Sequence, residues 1–180
     1  MILHQYKIVF AGSMGAGKST AIKTISNIDV LSTEAINTDL QAHQKALTTV
    51  GIDYGELYLD EETRIGLYGT PGQERFDFIW NVITDGAIGT IILIDHSTEN
   101  PVADLQQYVE YFSQQQSNII IAISHLDKNL KQPTRIYYDW LAQQKYAYPL
   151  FFIDARKSED ILMLIDAMLA NAEIQISSRV

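Results

Sequence analysis

Three short segments carry residue types and spacings that could do chemistry. The first is Gly12-Ser13-Met14-Gly15-Ala16-Gly17-Lys18-Ser19, which reads G-x-x-x-x-G-K-S. That is the pattern of a phosphate-binding P-loop, and each fixed position has a physical reason. Gly12 and Gly17 let the backbone turn and come close to phosphate oxygens. Successive backbone N–H groups, continuing through Thr20, form an anion-binding nest at a helix N-terminus. Lys18 brings a point charge to the β- and γ-phosphates, and Ser19 offers a hydroxyl to Mg2+. The implied ligand is a nucleoside triphosphate with Mg2+. The loop alone chooses neither between ATP and GTP nor between hydrolysis, transfer and binding.

The second segment is Gly69-Thr70-Pro71-Gly72-Gln73-Glu74. Taken alone it is an ordinary Pro-Gly turn. At this distance behind a P-loop it suits a γ-phosphate sensor, with the Gly72 N–H on a phosphate oxygen and Gln73 orienting an attacking water. The third is Ser124-His125-Leu126-Asp127, at the C-terminal end of an apolar run. There α/β sheets place ligand-binding residues. An Asp at that point can accept hydrogen bonds from guanine N1–H and its exocyclic amine, whereas adenine presents a different edge. The plain alternative is a loop-starting Asp that caps the backbone from Lys128 onward.

These segments need elements to hold them. The strand expected before the P-loop is residues 6–11, and a Pro-free stretch over 19–27 can form the helix after it. Residues 29–47 read as loop with a short helix at most. Residues 49–59 and 64–68 read as strands across the polar turn Asp60-Glu61-Glu62, an antiparallel hairpin. Three apolar runs follow at 89–95, 118–124 and 149–153, of the kind covered on both faces. Helices are expected over 101–115, 134–144 and 158–172. Pro101 suits a first turn, and Ile161, Leu162, Leu164, Ile165, Met168 and Leu169 make an apolar stripe behind an acidic start. The sum is an α/β fold: a six-stranded mixed sheet with one antiparallel strand and about five helices, as a single domain over 1–180.

Composition narrows the classes. The chain has 180 residues, 47% apolar and 19% charged, which suits one globular domain. A net charge of −9 with no basic run speaks against a nucleic-acid partner or an anionic membrane surface. The absence of cysteine removes disulfides and thiolate metal sites. No apolar run reaches the roughly 18 residues of a membrane span, the first strand begins almost at once, and no lipidation acceptor is present. A cytoplasmic protein without its own membrane anchor is expected. The four histidines, His4, His43, His96 and His125, have no metal-ligand spacing.

In order and spacing, the three segments resemble the small Ras-like GTPases over nearly the whole chain. They fit best a prokaryotic branch whose switch reads as residues 67–76 do here, Leu-Tyr-Gly-Thr-Pro-Gly-Gln-Glu-Arg-Phe. That branch is related to the bacterial gliding-motility polarity GTPases and is often likened to the signal-recognition-particle receptor β subunit. The resemblance implies a P-loop three-layer sandwich and further roles. Asp154-Ala155-Arg156 stands where these proteins carry Ser-Ala-Lys, whose Ala N–H contacts the guanine oxygen. Thr49, at the opening of the second strand, looks like the switch Thr that meets Mg2+ and the γ-phosphate. Ser124 and His125 replace Asn or Thr and a Lys. Gly69 stands where an Asp would hold Mg2+ through water, so Mg2+ is expected to depend on Ser19, Thr49 and the nucleotide.

The expected function is a slow, Mg2+-dependent GTPase switch with Gln73, Lys18 and Thr49 at the reacting phosphate. It would act with an effector and a stimulating protein, for which the resemblance suggests the roadblock type, as a monomer or nucleotide-dependent dimer. Two rivals remain. A GTP-binding scaffold with little hydrolysis is kept alive by Gly69. A small-molecule kinase would need an Arg-rich lid, for which Arg135, Arg156 and Arg179 are few. Phe76, Phe78, Ile79 and Trp80 divide between core and partner face. Arg75 is either an internal arginine finger or solvated, and Tyr137, Tyr138, Trp140, Tyr146 and Tyr148 read as packing.

Overall fold

The computed structural model describes residues 4–32, 51–72, 77–128 and 132–177. Its strands are β1 (His4–Ala11), β2 (Leu31–Ser32), β3 (Asp53–Tyr58), β4 (Thr63–Gly69), β5 (Gly89–Asp95), β6 (Ile119–Ser124) and β7 (Leu150–Phe152). Its helices are α1 (Lys18–Ile25), α2 (Asp77–Thr84), α3 (Pro101–Ser113), α4 (Arg135–Leu141) and α5 (Ser158–Ser177). The sheet order is β2-β3-β4-β1-β5-β6-β7. β1 pairs in parallel with β4 and β5, and β6 and β7 continue outward in parallel. β3 is antiparallel to both β2 and β4, so it alone runs against the sheet, as expected.

Among the described residues the sheet has seven strands rather than six. The added β2 is a two-residue pairing of Leu31 with Tyr54 and Ser32 with Asp53. So short a strand leaves no alternation to read, and its stretch is polar. α5 runs five residues past its expected end because Glu173 to Ser177 contains no Gly or Pro to stop it. The stretch 33–50 lies outside the described residues.

Period-two alternation sends side chains from the central strands to both faces. Ile8, Phe10, Ile65, Leu67, Ile91 and Leu93 pack under Ala21, Ile22 and Ile25 of α1 and Ile161, Leu164 and Met168 of α5. Ile92, Ile94, Ile121 and Ile123 pack under Trp80, Leu105, Phe112, Tyr137 and Trp140 of α2, α3 and α4. The result is the expected three-layer sandwich. Asn100 caps α3 by accepting from the Ala103 N–H, with Pro101 behind it.

Two local devices fix the hairpin relative to α1. In its turn, Asp60 Oδ1 accepts from the N–H groups of Glu62 and Thr63 at 2.8 and 2.7 Å. That pins the register in which Asp53 stands opposite Gly69. At Gly55 the backbone of β3 lies close under α1: a Cβ there would stand 2.8 Å from Ser26 Oγ and 2.9 Å from Ile22 Cγ2. Ser26 Oγ also accepts from Glu56 N–H at 3.2 Å, and Asn27 N–H donates to Glu56 O at 2.7 Å. Gly55→Ala should therefore destabilise by about 1–3 kcal/mol through overpacking, read in urea as a lower midpoint at unchanged slope.

Candidate functional site

The P-loop leaves the buried end of β1 and turns sharply over the tip of β5. Gly12 has φ 139°, and a Cβ on it would lie 2.1 Å from Leu93 O. Gly17 caps α1 at φ 100°, the left-handed region that glycine enters without strain. Between them Ala16 N–H donates to Ser13 O at 3.2 Å. Ser124 Oγ, at the end of β6, lies 2.8 Å from Ala16 O and 3.2 Å from Ile94 O. The loop is thus clamped to both β5 and β6. Ser124, expected among the nucleotide-binding residues, holds the loop with its hydroxyl and also lines the neighbouring pocket.

Lys18 is buried and donates from Nζ to Gly12 O at 2.7 Å and Ser13 O at 2.8 Å. Burial pulls its pKa down to about 8, opposed by the negative charge of Asp53. Ser19, the first-turn hydroxyl of α1, donates its Oγ proton to Asp53 Oδ2. Asp53 was not among the residues expected in the site. Its signal was available in outline: counting back along the hairpin from the Asp60-Glu61-Glu62 turn sets position 53 against position 69. That α1 would bring Ser19 to the same point needed the fold.

The loop after β4 rests on the P-loop. Thr70 N–H donates to Phe10 O at 2.9 Å. A Cβ on Gly72 would lie 2.5 Å from Met14 N, so only glycine fits there. Trp80 Nε1 donates to Pro71 O at 3.1 Å, and its ring stacks on Tyr108 and Phe112. Trp80 is therefore core and holds the loop, while Ile79 is half-buried. Thr49, Gln73, Arg75 and Phe76 lie outside the described residues, as does the Phe78 side chain.

Beside the P-loop a pocket of about 430 Å3 opens among Gly17, Thr20, His125, Asp127, Ala155 and Arg156. Its volume suits a small ligand. His125 has φ 58°, which turns the chain at the end of β6, and Asp127 stands exposed beyond it. Arg156 bridges two acids, with Nη2 2.7 Å from Asp154 Oδ2 and 3.5 Å from Asp127 Oδ2. Its hydrogen bonds hold the Asp154 carboxyl well below the usual carboxylate range. Ala155 O accepts from Thr24 Oγ1 at 2.9 Å, tying this loop to α1. The motif residues of the first and third segments thus converge on one surface, from Gly12 through Asp127 to Arg156.

His96 is buried, with Nδ1 2.8 Å from Tyr137 Oη and Nε2 3.1 Å from Gln132 O. Among the described residues no group of three His, Asp or Glu could hold a metal. Tyr137 and Trp140 are buried, whereas Tyr138 and Tyr146 are exposed. Among the described residues no helix is long and apolar enough to cross a membrane.

Fold and site together define a P-loop nucleotide-binding protein. The chain belongs to the family of conserved hypothetical ATP binding proteins, whose model matches residues 24–148. It is 31% identical over 93 residues to an uncharacterized protein of Methanocaldococcus jannaschii, covering 52% of this chain and 53% of that one. It is 31% identical over 108 residues to a Ras and EF-hand domain-containing protein of Danio rerio, covering 58% of this chain and 14% of that one. The chain therefore spans about half the length of the first relative and a small part of the second. In structure it is similar to the G domain of the T. maritima FeoB iron transporter, with a TM-score of 0.65 at 17% identity. That likeness covers 94% of this chain and 99% of that domain, and it shows the fold.

The lowered pKa of Lys18 has a measurable consequence. In the free protein the buried cation costs stability below pH 8, and the cost fades as pH rises toward the ordinary lysine value near 10.5. A polyphosphate restores the charge, so binding between these values takes up a proton. Nucleotide affinity should fall as pH rises from about 8 to 10.5. Calorimetry in buffers of different ionisation enthalpy should register the proton uptake, and Lys18→Met should abolish it.

Proposed function

We propose that residues 1–180 act as one G domain that binds GTP with Mg2+ and hydrolyses it slowly to GDP and phosphate as a regulatory switch. The observation that supports guanine is the placement of Asp127 and Ala155 in one pocket with Gly17 and Thr20. A carboxylate there accepts from guanine N1–H and from the exocyclic amine, and the Ala155 N–H suits the guanine oxygen. Adenine offers an acceptor at N1, where the carboxylate would meet it with no proton between them. A site built on such hydrogen bonds discriminates strongly, because the wrong base leaves them unmade.

The roles are those that the sequence motifs and the family resemblance imply. The N–H groups of residues 13–20 and the Lys18 ammonium hold the phosphates, and Gly72 closes on the loop. Ser19 and Thr49 are the proposed protein ligands of Mg2+. When bound, that ion would offset the negative charge of the phosphates. Gln73 orients the water that attacks the γ-phosphorus. Switching is the ordering of the segments around Thr49 and Gly72 by the γ-phosphate and their release after hydrolysis. A stimulating protein, of the roadblock type by resemblance, and an effector would read that change in the cytoplasm.

A second reading, a GTP-binding scaffold with little turnover, rests on one observation: Gly69 brings no acid to the phosphate end of β4. Single-turnover phosphate release with excess Mg2+ separates the two. Release that Gln73→Leu slows without weakening GDP binding supports the switch; no release over hours, with or without a partner, supports the scaffold.

Base choice is tested by competition against a fluorescent GDP analogue. GTP and GDP should bind at least about 100-fold more tightly than ATP and ADP, and Asp127→Asn should move the preference toward xanthine nucleotides. Equal affinity for ADP and GDP would refute the guanine reading.

A further inference from the structure

P-loop proteins ordinarily hold their metal with the Ser or Thr of the loop and an Asp on a neighbouring strand. In this chain the strand end beside the P-loop carries Gly69, which has nothing to offer. We propose that Asp53, at the head of β3, supplies that acid from one strand further out, and that it holds the divalent cation together with Ser19. The proposal rests on the nucleotide reading above and adds to it a residue for the metal.

Three independent features converge. First, Ser19 Oγ and Asp53 Oδ2 share a hydrogen bond. Adjacent ligands of an octahedral Mg2+ with bonds of 2.0–2.1 Å stand about 2.9 Å apart, and two oxygens already in hydrogen-bond contact reach that spacing by a small outward shift. A hydroxyl and a carboxylate are also the hard oxygen donors that Mg2+ takes.

Second, the carboxylate occupies the space that a side chain at position 69 would use. A Cβ on Gly69 would stand 3.2 Å from Asp53 Cβ and 3.3 Å from Asp53 Oδ2, with Ile22 Cδ1 at 3.1 Å on its other side. Gly69 and Asp53 face each other in the antiparallel ladder. The glycine leaves room, and the aspartate crosses the ladder to fill it. The missing acid and the unexpected one are thus two halves of one arrangement.

Third, the arrangement is held rigidly. The Asp60 turn sets the register that puts residue 53 at this point, and a one-residue slip would send its side chain to the other face of the sheet. The close approach of α1 at Gly55 sets the distance from Ser19 to β3. Lys18 directly precedes Ser19, so the carboxylate that Ser19 meets stands at the cationic, phosphate-binding end of the site.

The alternative role for Asp53 is structural: it accepts the Ser19 proton and does nothing more. Asp53→Asn separates the two, because the amide oxygen can still accept that proton while the negative charge is gone. Release of a fluorescent GDP analogue is measured in Mg2+ and in EDTA, and Mn2+ affinity of the GDP complex by electron paramagnetic resonance. In the unaltered protein, EDTA should speed release. In Asp53→Asn, release in Mg2+ should approach the EDTA rate while the EDTA rate itself stays unchanged. Mn2+ affinity should fall by at least the about 10–100-fold that loss of an outer partner of a metal site costs.

The exchange variant Asp53→Gly with Gly69→Asp returns the acid to the neighbouring strand and should restore Mg2+-sensitive release. It also provides the answer if Asp53→Asn folds poorly. Full Mg2+ sensitivity and unchanged Mn2+ affinity in Asp53→Asn would overturn the proposal, as would an exchange variant that folds and binds GDP without responding to Mg2+. Failure of the unaltered protein to bind GDP in either condition would instead strike the nucleotide reading itself.

Discussion

Gly12 sits so close to Leu93 that a side chain would press on the carbonyl oxygen, and the geometry of the site follows from that approach. It forces the chain to leave β1 in a backbone conformation that favours glycine. The next residues then wrap over β5 instead of continuing the strand. Ser124 reaches across from β6 to the carbonyl of Ala16 and keeps the wrapped loop seated. Once seated, the loop delivers the first turn of α1 with its N–H groups facing outward and Lys18 folded back on the loop carbonyls. A substitution at Gly12 would disturb the strand end and the loop that follows it together, because both depend on this contact.

The second constraint acts at the other end of α1. Its last turn is fastened to β3 by Ser26 and Asn27, and the absence of a side chain at Gly55 lets helix and strand nearly touch. With α1 fixed at both ends, the Ser19 hydroxyl has one place to be, and the hairpin register brings the Asp53 carboxylate to it. The loop carrying Gly72 is fixed from a third direction by Thr70 on β1 and by Trp80 in the aromatic cluster of α3. The P-loop, the Ser19–Asp53 pair and the Gly72 loop are therefore positioned by different parts of the sandwich. A change at one can be felt at the others through the sheet and α1.

This arrangement bears on the two functional readings. A P-loop with no acid nearby would suit a subunit that binds nucleotide and keeps it. A P-loop whose acid has moved by one strand keeps the electrostatics that hydrolysis needs, since the carboxylate reaches the same volume from a different backbone position. It also couples the acid to the hairpin that follows Thr49 in sequence. The register of that hairpin then sets whether the acid is in place.

The amino-acid sequence by itself determined the central strands, the order of the helices and the ligand class. Long β-branched runs such as Ile119–Ile121 read alike in any context, and G-x-x-x-x-G-K-S demands particular backbone conformations that local chemistry dictates. The position of Asp127 was legible for a like reason, since it follows directly on a strong strand, where a parallel sheet gathers its binding residues, whereas Ala155 was marked out by the family resemblance alone. Three matters were decided by tertiary structure. The two-residue β2 exists only because β3 offers an edge to pair with. Ser124, legible only as a hydroxyl at the end of a strand, meets the P-loop because the Ala16 carbonyl lies within its reach. Asp53 carried only the outline of a signal, its register against position 69 across the hairpin turn. It became part of the site because hairpin register and helix docking, both long-range contacts, placed it against Ser19 across from a glycine. Local patterns record what a residue can do; which residue stands beside it depends on packing between segments distant in the chain.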